Sequence, residues 1–226
     1  MSPLVPWPRA AVAIIAFCGL AVGVLGIGVH NDIRGTAFDL AITDWIVRNL
    51  SGGLLSNALR LADPALVFGL LAMVGAAAAL RHRWDITLLA AAAPLAALAV
   101  VELILKPVVH RAFLLATSRD TSGPLSFPSG HETGVSSLLA VLALLVLRSG
   151  LSVAARVLAT LALLAFFVVT SIGLVGRYDH YPTDTIGALG VSVMCVLAVA
   201  LSLDRVASGL TRRRARTQAA PARIPG

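Results

Sequence analysis

Three short polar stretches interrupt an otherwise strongly apolar chain: "ELILKPVVHR" at 102–111, "FPSGHE" at 127–132 and "GRYDHYPTD" at 176–184. In the last, His180 and Asp184 stand four residues apart, a spacing at which a carboxylate can hydrogen-bond an imidazole and orient it. A histidine held in that way is activated as a nucleophile or a base. The middle stretch brings a second imidazole, His131. Its Ser129 and Glu132 lie at i and i+3 with Pro128 just outside, so they read as a capping box, with Glu132 serving only as a cap. The same helix start presents free backbone N–H groups, at Gly130 and beyond, that suit a phosphate. In the first stretch Lys106 is the single lysine among eighteen Lys and Arg residues, and Glu102 lies one turn before it. Glu102 either pairs with a cation of the site or is a buried acid satisfied by another helix. His131, His180, Asp179 and Asp184 could in principle ligate a metal. Lys106 and Arg177 belong to the same stretches, however, and they repel a cation and attract an anion. The expected chemistry is therefore phosphoryl transfer with neither metal nor cofactor.

These residues need elements to hold them, and the composition says which. Of 226 residues 58% are hydrophobic and 13% charged, against roughly 25% charged in soluble domains. Six apolar runs approach the length that crosses roughly 30 Å of hydrocarbon: 10–29, 64–80, 86–105, 133–148, 154–175 and 184–203. The first is longer than the apolar region of a signal peptide and no small-x-small cleavage site follows it, so it reads as a helix. Asp63 and Pro64 open the second run as N-cap and first helical residue. Pro94 falls inside the third and is expected to kink it. Between the first two runs, Phe38, Ile42, Trp45, Ile46 and Asn49 recur at helical spacing, which predicts an interfacial amphipathic helix. The predicted fold is all-α: a polytopic bundle of six transmembrane helices with that interfacial helix between helices 1 and 2. One domain covers 1–205, with the motifs in a core of about 60–203, and 206–226 is expected to be a disordered basic tail.

A net charge of +7 does not imply nucleic acid, because the basic residues lie between spans and in the tail rather than on a soluble face. With six spans both termini share a side. Eleven of the eighteen Lys and Arg residues then fall on that side, which the positive-inside rule makes cytoplasmic. All three polar stretches come out on the opposite, extracytoplasmic side of the cell membrane. Cys18 and Cys195 sit inside apolar runs and read as small core residues, not as a disulfide.

In order and topology the three stretches resemble the motifs of the phosphatidic acid phosphatase type 2 superfamily of membrane lipid phosphatases. That family's pattern runs Lys-x6-Arg-Pro, then Pro-Ser-Gly-His, then Ser-Arg-x5-His-x3-Asp, on a six-helix core. Lys106, "PSGH" and "HYPTD" match it, whereas its first Arg-Pro falls on Phe113 and Leu114 and its second Ser-Arg on Gly173 and Leu174. Arg111 and Arg177 are the nearest cations, and the resemblance assigns them to the phosphate in place of the displaced arginines. It implies His180 as nucleophile, oriented by Asp184, and His131 as the acid that protonates the leaving oxygen and later helps activate water. Lys106, Arg111, Arg177, Ser129 and the Gly130 N–H would stabilise the phosphoryl oxygens, with Glu102 in possible support. The implied substrate is a lipid phosphate or diphosphate: a polyprenyl diphosphate, preferred for an outward-facing site, or phosphatidic acid or phosphatidylglycerol phosphate. Two alternatives stay open, a lipid-to-lipid phosphotransferase using the same site and a non-catalytic lipid-binding or transport protein.

Overall fold

A computed structural model describes residues 3–113 and 125–219, with side chains described up to residue 211. Its helices are α1 (Pro8–Gly28), α2 (Ala37–Asn49), α3 (Gly52–Arg60), α4 (Pro64–Leu80), α5 (Trp84–Val100), α6 (Lys106–Val109), α7 (Gly130–Leu147), α8 (Val153–Gly176) and α9 (Pro182–Ala219). Among the described residues six spans are long and apolar enough to cross a membrane, and the protein is an all-α multi-pass membrane protein. No strand occurs among the described residues; Ala112 and Leu125 form one isolated antiparallel bridge.

Helices α7 and α9 are the most buried spans and form the centre of the bundle. Small polar residues let them meet: the Ser137 hydroxyl donates to Ser192 at 3.2 Å, and Ser192 donates to the Thr133 carbonyl at 3.0 Å. Around this seam α1, α4, α5 and α8 turn apolar faces outward, including Phe17, Leu20 and Ile27 of α1 and Leu158, Leu161 and Leu164 of α8. In a bilayer those faces meet hydrocarbon. Cys18 and Cys195 are free thiols, as the sequence suggests.

Local signals explain most boundaries. The Asp63 carboxylate accepts from the N–H groups of Ala65 and Leu66, so α4 starts where "ADP" places it. Pro107 has no N–H to offer Leu103, and its ring would collide with that carbonyl in a regular helix. A wider π turn at Val101–Leu105 absorbs the conflict just before α6.

The expected helix between the first two spans is α2, and a second, α3, follows it because Ser51 caps a fresh helix with its hydroxyl on the Leu54 N–H. On α2 the apolar stripe is split: Phe38, Ile42 and Trp45 face outward, while Ile46 is buried with Asp39 and Thr43. Beyond residue 205, α9 continues to Ala219. Arg and Ala are strong helix formers, so helix persists there without an apolar stripe. Residues 220–226 lie outside the described ones.

Candidate active site

At one end of the bundle a cavity of about 740 Å³ is lined by Lys106, Gly130, His131 and His180 together with Glu102 and Asp179. The fold thus brings residues from all three polar stretches to one place. Lys106 arrives on α6 and is half-buried, with its ammonium on the Glu102 carboxylate at 2.7 Å. Of the two readings left open for Glu102, the structure has the ion pair with Lys106. Gly130 begins α7 against that pair. A Cβ there would lie 2.9 Å from Glu102 Oε1 and 3.8 Å from Lys106 Nζ, so any larger residue would have to push the Glu102 carboxylate aside.

His180 sits between α8 and α9 and is 5% exposed. Its Nδ1 lies 3.4 Å from Asp184 Oδ2, which also accepts the Tyr181 N–H at 3.0 Å. An ionised carboxylate can only accept, so this contact calls for a proton on Nδ1, and in the neutral ring the lone pair then falls on Nε2. The Phe113 and His180 rings pack in a T-shaped pair, with centroids 5.2 Å apart at 71°. The Asp184 carbonyl accepts the Ser129 N–H at 3.2 Å, which ties the start of α7 to the start of α9.

Four sequence assignments come out differently. The sequence reading puts Arg111 on the phosphate; in the structure its guanidinium is fully buried and does not line the cavity. One terminal nitrogen donates to Asp184 Oδ1 and Thr183 Oγ1, each at 2.6 Å; the other donates to Asp39 Oδ2 at 2.6 Å and Asp32 Oδ2 at 2.9 Å. Three carboxylates and Thr183 take both terminal nitrogens, while Nε is buried with no hydrogen-bond partner among the described residues, so the side chain behaves as an anchor for Asp184. Arg177 caps the end of α8, exposed, and does not line the cavity. Ser129 is fully buried and accepts the Glu132 N–H at 3.2 Å, so it caps α7 and does not line the cavity either. Glu132 is no capping-box partner: it is fully buried, with Oε1 3.2 Å from the Thr170 hydroxyl of α8. Leu114, at the family's proline position, lies outside the described residues.

The site also contains groups that sequence reading missed. Arg60, at the end of α3, lines the cavity, as do Asp63 and Leu174. Arg60 gets there because α3 crosses α8 at Gly173, where a Cβ would lie 2.5 Å from the Leu59 nitrogen. The only advance signal for Arg60 was its cationic type in a short polar segment between two apolar runs.

Behind His180 lies a buried charged network. Burial alone would raise the Asp39 pKa, but the Thr183 N–H and the Arg111 guanidinium outweigh it and hold Asp39 below the usual carboxylate range. Burial likewise works to lower the Arg111 pKa, and Asp184 and Asp39 overcome it, holding Arg111 above its ordinary value. The Tyr181 ring lies over the Arg111 guanidinium carbon at 3.9 Å, and burial pushes its phenol up to about 12 despite that charge. Removing one partner from such a buried pair costs about 3–5 kcal/mol, because the other charge is left uncompensated.

Fold and site together define a six-span membrane protein with two histidines, one of them held by a carboxylate, in a cation-bearing cavity. A family model described as the PAP2 superfamily matches residues 87–207, more than half of the chain, and the protein belongs to that superfamily. Members of that superfamily are phosphatases, which supports phosphatase activity in general for this chain. The matched segment begins within α5, so α2, α3 and α4 with Asp39, Arg60 and Asp63 lie before it. No curated protein matches the chain, and no solved structure does.

Proposed function

We propose that this protein is a metal-independent lipid phosphatase that works through a phosphohistidine on His180. The observation that carries the reading is the Asp184 carboxylate on His180 Nδ1, inside the cavity that also holds His131 and Lys106. His180 Nε2 gives its lone pair to phosphorus, the bond from phosphorus to the leaving oxygen breaks, and His131 supplies that oxygen with a proton. His131 then takes a proton from water as the water oxygen attacks phosphorus. The phosphorus–nitrogen bond breaks, freeing His180 and inorganic phosphate. Lys106, Arg60 and the α7 N-terminus at Gly130 supply positive potential for the phosphoryl oxygens.

A lipid substrate suits the cavity walls, since Val67 and Phe68 of α4 and Leu98 of α5 line its apolar flank. A polyprenyl diphosphate remains the preferred substrate, ahead of phosphatidic acid and phosphatidylglycerol phosphate. Charge argues against a metal. Asp184, which contacts His180, already spends one oxygen on Arg111 and the other on His180 and the Tyr181 N–H, and Lys106 and Arg60 bring positive charge to the same cavity.

Phosphate release from a panel of lipid phosphates by purified protein tests the reading. Release should survive EDTA and be inhibited by vanadate, which imitates the five-coordinate transition state. Loss of activity in chelator, restored by a divalent ion, would favour the metal site. Transfer of phosphate to a second lipid, with none set free, would make the protein a phosphotransferase.

The site is proposed to face away from the cytoplasm. A reporter fused after Gly226 should then report a cytoplasmic C-terminus, as the arginine distribution requires. An external C-terminus would place the cavity on the cytoplasmic side.

A further inference from the structure

We propose that Asp39 and Arg111 are positioning residues for His180, so that the interfacial helix α2, outside the family-matched segment, helps set the aim of the nucleophile. The proposal rests on the phosphohistidine reading above. The connection is continuous and buried. Asp39 of α2 takes one terminal nitrogen of Arg111 at 2.6 Å, and the other nitrogen takes Asp184 Oδ1 at 2.6 Å. Asp184 is thereby fixed with its second oxygen toward His180 Nδ1 at 3.4 Å. Asp39, Arg111 and Asp184 have no exposed surface. Asp39 is gripped from the far side as well: its Oδ1 accepts the Thr183 N–H at 3.0 Å and the Thr183 hydroxyl at 2.9 Å. Thr183 in turn neighbours Asp184, so α2 holds the start of α9 from two directions. Asp32, 20% exposed, adds a weaker hold on the same Arg111 nitrogen at 2.9 Å.

Division of the Arg111 charge gives the effect its sign. With Asp39 ionised, Arg111 is shared among carboxylates and leaves Asp184 Oδ2 to the imidazole. An amide at residue 39 would carry no charge and only one acceptor oxygen, so it could no longer take Arg111 on one side and the Thr183 N–H on the other. Arg111 would then swing fully onto Asp184 as a two-pronged pair and draw Oδ2 away from His180. Misplacement of a reacting group by about 1 Å can cost roughly 10²-fold in rate.

The test is a cycle of Asp39→Asn and Asp184→Asn in full-length protein in lipid nanodiscs, with thermal unfolding recorded for each. Asp39→Asn should lower kcat about 10- to 10²-fold while KM and inhibition by vanadate hold. The double variant should be no slower than Asp184→Asn alone, because Asp39 acts only through Asp184. A merely structural role gives losses that multiply, so multiplying losses, or a kcat within twofold of wild type for Asp39→Asn, would overturn the proposal. If Asp39→Asn does not fold, Asp32→Asn replaces it in the same cycle, with a smaller loss in the same pattern expected and the same outcomes overturning it. Should the wild type hydrolyse no lipid phosphate, the phosphatase reading fails and the His180 Nδ1 proton decides the positioning role. That proton should resonate downfield in wild type by NMR and move upfield in Asp39→Asn; an unmoved signal would overturn the role.

Discussion

Replacing His180 with alanine is expected to end turnover altogether, while His131→Ala retains slow phosphorylation of the protein by a substrate with a good leaving group. The two imidazoles occupy one cavity but differ in their surroundings. His180 has a carboxylate on Nδ1 and is nearly buried, whereas His131 stands exposed at the first turn of α7. A nucleophile makes the bond to phosphorus, and nothing replaces it once deleted. A general acid assists bond breaking by roughly 10²–10⁴-fold, and less when the leaving group needs little protonation. Phosphate release from an aryl phosphate and from a lipid phosphate, compared between the two variants, checks this. Equal residual turnover in both would show that the roles are wrongly divided.

Among the cations, Lys106→Ala and Arg60→Ala are each expected to lose about 10²–10³-fold in kcat/KM, as for removal of a transition-state donor. Arg177→Ala should stay within a few-fold of wild type. Lys106 and Arg60 line the cavity, whereas Arg177 ends α8 outside it. Two positions where the family pattern has arginine, 113 and 174, here hold Phe113 and Leu174, and both of those side chains line the cavity. The positive potential must therefore come from elsewhere, and Arg60 enters on α3, which the pattern does not cover. Steady-state kinetics of the three variants at matched protein level decides the matter. Arg177→Ala falling as far as Lys106→Ala would return the phosphate to the displaced arginine.

What the sequence disclosed was whatever depended on near neighbours. Asp63 and Pro64 act on the turn that follows them, and α4 begins where they put it. His180 and Asp184 sit one helical turn apart, so their contact needed no knowledge of the rest of the chain. The six apolar runs stood out because hydrocarbon demands them. Arg111 failed for the opposite reason: its partners Asp32 and Asp39 lie more than seventy residues earlier. No local pattern marks a guanidinium already spent on remote carboxylates. Glu132 had two places to go, the helix start beside it or a neighbouring helix, and only packing chose Thr170. Arg60 needed the crossing of α3 over Gly173, which exists only in the folded chain.

The phosphohistidine is the centre of the mechanism, and it can be trapped. Protein mixed with a ³²P-labelled lipid phosphate, quenched in denaturant at alkaline pH and digested, should yield one labelled peptide containing His180. Its label should be lost in acid and kept in base, as a phosphorus–nitrogen bond requires. Label on any other residue, or full turnover with no labelled protein at the earliest times, would contradict His180 as the nucleophile.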